Sequence, residues 1–504
     1  MTELLWKWFR NRILNTTTTP QQNPTKEVPN KENVTLESIK TKLKDIDDAQ
    51  QKELTINGEK VVLIYISALV QTGTLQDLIF TPLNQMEGKL PPEHVLKNSS
   101  IADLQDLQVL INDIMSGYTV LYFLEREFVL KVNTYSVNER SITAPESETT
   151  VLGPQDSLTE AINTSLSLIK RRIRSANLKT KIFQMGTETN DTVAVLYMDH
   201  IANEENVQRV LHRVKNIEYQ GFVGMPIFKQ MLEDKPFSPF PQHGISVRTD
   251  YTTEALLDGR VIVMVDGSPE AAILPATFFE MFTTTEDFYN RWTTASLLRV
   301  IRLGGFLVSI LLTSTYVSVL TYHPEMLPPT LLLMLSESRT QVPFPPVLEV
   351  LIIEMVIEIL REAGARMPTK IGQTIGIVGG IVIGTAAVEA GLSSNVLIVL
   401  VAVSALLSFL PPNYLMSNAI RLVRYGFIIA GGLLGMYGQI IFFAWLMNHL
   451  SNLTSLGSPY MTPFIPRQWT DLFNSVFRAP INFIVTRSGM SRAKKQLTRP
   501  LDEE

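Results

Sequence analysis

The sequence predicts an α/β water-soluble region of two subdomains followed by an α-helical, multi-span membrane domain. Between Ile371 and Pro466 only Glu389, Arg421 and Arg424 bear a full charge, and the apolar runs there stand end to end. A bilayer's hydrocarbon slab takes roughly 20 apolar residues of helix per crossing. This part therefore reads as several spans. Residues 35–290 hold no comparable run and alternate β-branched stretches with amphipathic ones. Function must then couple a large aqueous part to something inside the bilayer.

The opening MTELLWKWFRNRILN is too short and too often charged for a signal peptide. It reads either as a small surface helix, with Trp6, Trp8, Phe9 and Ile13 on one side, or as a partly ordered tail. With the Thr/Pro/Asn-rich stretch that follows, residues 1–33 form a flexible leader. A first α/β subdomain spans 34–144. In it Asn57-Gly58, set between apolar runs, signals a hairpin. Residues 67–86 have helical spacing, and YTVLYFLEREFVLKVNTY reads as two strands joined near Glu125–Glu127. A second subdomain spans 145–290. Here Asp156 or Ser157 starts a helix, VAVLYMD is a strand, NEENVQRVLHRVKNIE is an amphipathic helix, and VIVMVDG is a strand after the turn Asp258-Gly259.

The transmembrane domain spans 299–450 and a C-terminal tail spans 451–504. LGGFLVSILLTSTYVSVLTY is a span, 323–346 a proline-rich loop dipping into the membrane, and 347–362 a helix carrying Glu349, Glu354, Glu358 and Glu362. Three further spans follow: 371–389, rich in glycine, then VLIVLVAVSALLSFL, then YGFIIAGGLLGMYGQIIFFAWLM as a single crossing. The charge rule conflicts with itself here. Arg361, Arg366, Lys370, Arg421 and Arg424 on the cytoplasmic side require five crossings, which would put the basic tail outside. We expect a partly inserted Glu-bearing helix and a cytoplasmic tail, which satisfies both.

A net charge of −5 argues against a nucleic-acid partner, and the absence of cysteine removes disulfides and thiolate chemistry. Six scattered histidines show no metal-ligand spacing, and there is no phosphate loop or nucleophile elbow. Neither catalytic residues, nor a metal, nor a cofactor is expected, and the chain does not read as an enzyme. His243, beside PFSPFPQHG, reads as a loop residue.

Glu354, Glu358 and Glu362 form a narrow stripe at 100° per residue. Carboxylates at membrane depth face water or a partner, so they are either an ion-attracting surface at a pore entrance or partners of Arg361 and Arg366. Gly372, Gly376, Gly380 and Gly384 recur every fourth residue, a spacing that lets helices approach closely. The opposite face carries Thr374, Val378, Val382, Thr385 and Glu389, a mixture suited to a narrow conduit whose valines gate by dewetting. A helix packed by its small residues alone is the plainer reading.

GPQDSLTEAINTSLSLIKRRIR (153–174), TDYTTEALLDGRVIVMVDGSPEAAILPATF (249–278) and EILREAGARMPTKIGQTIGIVGG (358–380) resemble the A subunits of GerA-type spore germination receptors. The similarity runs from residue 35 to the end. It implies a spore inner-membrane protein with its soluble region in the spore core, partnered by a transporter-like B subunit and a lipoprotein C subunit. It further implies an oligomer, expected as a pentamer, that releases monovalent cations when nutrient binds. Gln155, Leu158, Ser165 and Val247-Arg248-Thr249-Asp250 depart from the family's usual residues. A paralogue associated with dipicolinate release and a non-conducting scaffold that clusters receptors are the other functions such a chain could serve.

Overall fold

The computed structural model describes residues 33–498 apart from 57, 85–94, 97–98, 127, 137–147, 367–379, 381, 383, 467–468, 482–483 and 485. The leader through residue 32 and most of the glycine-rich helix, including Gly372, Thr374, Gly376 and Val378, lie outside the described residues.

Two antiparallel five-stranded sheets form the N-terminal region. The first contains β1 (Ala49–Ile56), β2 (Glu59–Ile66), β3 (Ser99–Ile101), β4 (Tyr118–Phe123) and β5 (Phe128–Asn133), in the order β1-β2-β4-β5-β3. The second contains β6 (Leu178–Met185), β7 (Asp191–Met198), β8 (Gly244–Ser246), β9 (Val261–Val265) and β10 (Ala271–Leu274), in the order β6-β7-β9-β10-β8. The two orders are the same pattern. Each unit runs helix, hairpin, helical stretch, short edge strand, helix, hairpin. In the first, α1 (Leu36–Lys42) and α2 (Leu107–Met115) are the flanking helices; in the second, α3 (Ile162–Arg172), α4 (Glu204–Asn216), α5 (Met225–Leu232) and α6 (Thr249–Leu257) fill those places. A repeat of fold thus exists where the sequence shows no clean repeat.

The hairpins form where turn chemistry and alternation predict them. Gly58 takes φ 86° in the first, and β4 pairs with β5 in register from Tyr118–Asn133 to Phe123–Phe128. The helix expected from Asp156 or Ser157 begins only at Ile162. Ser157 instead bridges to Arg248, and Asp266 accepts the Ile162 amide at 3.0 Å, so the cap comes from the far end of β9 rather than from the local sequence. One apolar core runs through both units, and Lys170 Nζ lies 2.6 Å from Asp48 across their boundary, both side chains buried.

The C-terminal half is a helical bundle: α7 (Trp292–Tyr322), α8 (Pro329–Ser338), α9 (Pro346–Arg366), α10 (Asn395–Leu407) and α11 (Tyr414–Ser451). Two of these, α7 and α11, are long and apolar enough to cross a membrane. However, α11 is not one rod. Gly435 takes φ 61° and ψ −145°, backbone open essentially to glycine alone, and the chain doubles back there. The Phe427 and Phe442 rings sit 4.8 Å apart edge to face, although a straight helix would separate them by about 22 Å. The single crossing expected over 425–447 is therefore two antiparallel arms, 414–434 and 436–451.

Contacts fix the directions. Ser314 bonds the Phe427 carbonyl and Ser318 that of Gly431, so α7 runs parallel to the first arm. Ser309 and Ser404 exchange hydroxyl-to-carbonyl bonds while Tyr316 meets Ser394, so α10 runs opposite to α7. Val347 packs on Gly432 and Glu354 on Arg424, so α9 also runs opposite to the first arm and along most of it. The Glu-bearing helix is thus packed along the bundle, its contacts running from Val347 to Glu354. The return arm brings the tail back to the end of the bundle where the α/β units lie.

The tail then completes the second unit. Thr454 Oγ1 bonds Asp234, Arg209 bonds the Leu456 carbonyl, and Ser455 Oγ accepts the Ala276 amide. His243, read from sequence as a loop residue, is fully buried between the Leu232 carbonyl and Ser455 Oγ.

Gly438 lies against the Ala430 carbonyl of the opposite arm, whereas nothing approaches Gly304 on α7. Gly438→Ala should lower the thermal stability of the purified protein by about 1–3 kcal/mol or prevent its accumulation, while Gly304→Ala should be neutral or stabilise by up to about 1 kcal/mol. Melting of the two variants side by side checks this. Burial depresses the His243 pKa to about 4, so the folded protein keeps it neutral while the unfolded chain takes up a proton below 6.5. Stability attributable to this residue is complete above pH 6.5 and falls by about 3 kcal/mol between 6.5 and 4. His243→Gln, which keeps an amide donor near the Nε2 position, should flatten that acid limb in denaturant titrations across this pH range.

Candidate functional site

The bundle buries charge. Glu354 has no exposed surface, and its carboxylate lies 2.8 Å from Arg424 Nη2. Arg424 Nη1 also donates to Ser404 Oγ at 2.9 Å, which ties α9, α10 and the first arm of α11 at one point. Glu349, equally buried, takes Arg339 Nε at 3.1 Å and the Ser394 amide at 2.7 Å. It therefore sits at the N-terminus of α10, where a negative charge is favoured by the exposed amides. Glu358 pairs with Arg361 and approaches Arg421 at 4.0 Å. Glu362 pairs with Arg366 at 2.5 Å, both well exposed.

Of the three glutamates singled out as ion-attracting, Glu354 faces the bundle interior and Glu358 is about one-third exposed. Glu362 is open, at the soluble end. The pairing with Arg361 and Arg366 that the spacing allowed is present. The pairing with Arg424, which matters most by burial, was hidden because it joins segments 70 residues apart.

The described part of the glycine-rich helix, 380–389, packs against α10. Ala387 is buried, and a Cβ at Gly384 would meet Ile398 at an ordinary 3.9 Å; a Cβ at Gly380 would meet nothing. Val382, Thr385 and Glu389 are exposed. Among the described residues, Gly384 thus faces a neighbouring helix and Gly380 meets none. The helix ends where Gly391 meets the Gln341 carbonyl, which places Glu389 at the end of the bundle away from the soluble units.

A second charged cluster joins the soluble units to the bundle. Asp287 accepts from Arg299 Nε at 3.0 Å and Arg302 Nη1 at 2.8 Å, both on the first turns of α7. Burial works against the charge on Asp287, but the Arg302 hydrogen bonds and both guanidinium charges hold its carboxyl below the usual range. Arg478, from the tail, donates to the Asp287 carbonyl, and Phe288 is flanked by the Arg299 and Arg478 guanidinium groups. No grouping of histidine and acidic residues able to hold a metal occurs among the described residues.

A family model described as Bacillus/Clostridium GerA spore germination protein matches residues 37–490. The chain belongs to the GerA family. Among its GerA relatives is Spore germination protein GerQA of Bacillus cereus, 38% identical over 482 residues, which cover 94% of this chain and 95% of that one. Spore germination protein A1 of Bacillus subtilis (strain 168) is 35% identical over 448 residues, 87% of this chain and 92% of that one. The crystal structure of the N-terminal domain of the A subunit of the Bacillus megaterium spore germinant receptor GerK3 aligns with a TM-score of 0.36 and 27% identity, over 48% of this chain and 94% of that one.

Several residues singled out in the sequence have defined work in the second unit of this GerA chain. Arg248 bonds both Asp250 oxygens and the Glu148 and Pro154 carbonyls, fixing the segment that enters the unit. Ser165 accepts the Thr159 amide, and Leu158 is buried in the shared core.

Removing one partner of a buried ion pair leaves an uncompensated charge, which costs about 3–5 kcal/mol. Glu354→Ala and Arg424→Ala should each sharply lower the melting temperature of the purified GerA-family protein. The double variant should lose less than their sum, with a coupling of about 1–3 kcal/mol. A double-mutant cycle by thermal melting measures it; strict additivity would mean the pair does not hold the bundle.

Proposed function

We propose that this chain is the A subunit of a nutrient germinant receptor of endospores, seated in the spore inner membrane. Its two α/β units and its tail face the spore core, and copies assemble, as a pentamer on the family pattern, around a nutrient-gated cation path. A transporter-like B subunit and a lipoprotein C subunit would be its partners. Membership of the GerA family supports the receptor assignment. The two arms of α11 support the orientation, because an even number of passes lets the core side hold both the basic tail and the soluble units.

The exposed face of helix 380–389 is the observation that most supports the path. Val382, Thr385 and Glu389 are exposed among the described residues, and Thr374 and Val378 continue the same face in sequence. In a ring of copies, Glu389 would stand at one mouth and Glu362 near the other, where carboxylates concentrate cations, with valines narrowing the way between. Glu354 has a different role in this arrangement: its charge is already matched by Arg424, so it holds the bundle rather than drawing ions. Gating requires that nutrient bound at a partner favour the open assembly by differential affinity.

The competing reading is a non-conducting scaffold, in which the same face would only pack against another copy. Ion flux from liposomes containing the receptor separates the two. Val382→Ala should give leaky, partly nutrient-independent cation release, and Val382→Leu should blunt the nutrient response, with assembly unchanged in both. Normal release from both variants, with position 382 crosslinking between copies, would favour the scaffold.

A further inference from the structure

The loop Lys235–Pro241 presents one aromatic side chain outward in an unusual way. Phe237 is fully exposed, whereas Phe240, three residues on, is 1% exposed and packs between Phe278 and His449. Pro236, Pro239 and Pro241 fix φ through the loop. Ser238 Oγ bonds His449 Nε2 at 3.0 Å, and Lys235 Nζ donates to the Asn452 carbonyl at 2.6 Å. The loop is thus bolted to the last turn of the returning arm of α11, and Phe237 is held out rather than left loose.

What lies beside it identifies the occupant. The outward face of that arm carries Tyr437, Ile440, Ile441 and Trp445, all more than half exposed. Trp445 stacks on His449 at 5.7 Å, the residue that bonds the loop. An exposed apolar face therefore runs down the arm to Trp445, which stacks on the His449 that anchors the Phe237 loop. At its lower end the groups turn amphipathic, as side chains do at a membrane–water boundary.

We propose that Phe237 inserts into the core-side leaflet at the headgroup–acyl boundary, so that the second α/β unit rests on lipid as well as on the bundle. The inference depends on the reading that α11 lies in a membrane. Its consequence is mechanical: through Phe240, His243 and the 454–459 hairpin, the leaflet touches the second unit directly.

The chain has no cysteine, so single labels are clean. Phe237→Cys, Ile441→Cys and Val223→Cys variants of the full-length protein, each carrying a polarity-sensitive fluorophore, are placed in nanodiscs whose lipids are brominated either near the glycerol or deep in the chain. Val223 is exposed at the end of the second unit away from the bundle. The label at 237 should be quenched by the shallow bromines, that at 441 by the deep ones, and that at 223 by neither. Quenching at 441 but not at 237 overturns the inference and leaves the membrane reading intact, and a blue-shifted, unquenched label at 237 would point to a second copy of the chain covering it. Absence of quenching at both 237 and 441 overturns the inference together with the membrane reading.

Discussion

A single backbone conformation, at Gly435, decides how the chain ends. With φ 61° and ψ −145° it reverses a helix in one residue, which a side chain would forbid. Gly426, Gly432 and Gly438 then let Phe442, Val347 and the Ala430 carbonyl press against the hairpin where a Cβ would collide. Because the arm returns, residues 454–459 reach the second α/β unit and supply partners for Asp234, His243 and the Ala276 amide. The second unit is therefore finished by chain that has first travelled the length of the bundle. Buried polar groups left by cutting the chain before that point would have to find water or unfold.

Charged contacts join the α/β and helical parts as well. Asp287 holds Arg299 and Arg302 of α7 while Arg478 of the tail grips its carbonyl. Ser296 of α7 also exchanges bonds with the Arg478 backbone, and Phe306 packs on Phe278 and Phe282, so α7 is held to the second unit and the tail at several points. At the other boundary, Lys170 and Asp48 bind the two α/β units, buried and close. Charges in such places contribute less to stability than apolar side chains of like volume would, but they fail badly when one member moves away. In the receptor proposed above, that asymmetry would suit a joint that transmits a change of state.

Much of the soluble fold was legible because its signals are local. Asn57-Gly58, the alternation around Tyr118–Asn133 and the amphipathic run 204–216 each specify an element within a few residues. The start of α3 was not legible, since its cap is Asp266, about a hundred residues on. The bundle was legible as apolar helix, but the reversal within its last helix was not. Hydropathy reports the hairpin of α11 as one long run, and only the cluster Gly431-Gly432, Gly435 and Gly438 hinted that the run folds on itself. Glu354 was recognised as a residue needing an explanation, yet its partner, Arg424, lies on another helix and no spacing rule connects them.

On helix 380–389, Val382, Thr385 and Glu389 are exposed. In a lone subunit Val382 and Thr385 would face lipid, which suits the valine but leaves the threonine hydroxyl to bond the Val382 carbonyl, as it does at 3.3 Å. Glu389, exposed at the helix's end, has no such recourse in hydrocarbon, where an uncompensated carboxylate costs several kcal/mol. Water at that end, or a neighbouring copy that keeps water there, removes the penalty. In the assembly proposed above, copies that cover Val382 would also enclose the wet space that Glu389 requires. A closed state would then be one in which the valines meet and the water between them is lost, with the carboxylates at the two ends still solvated.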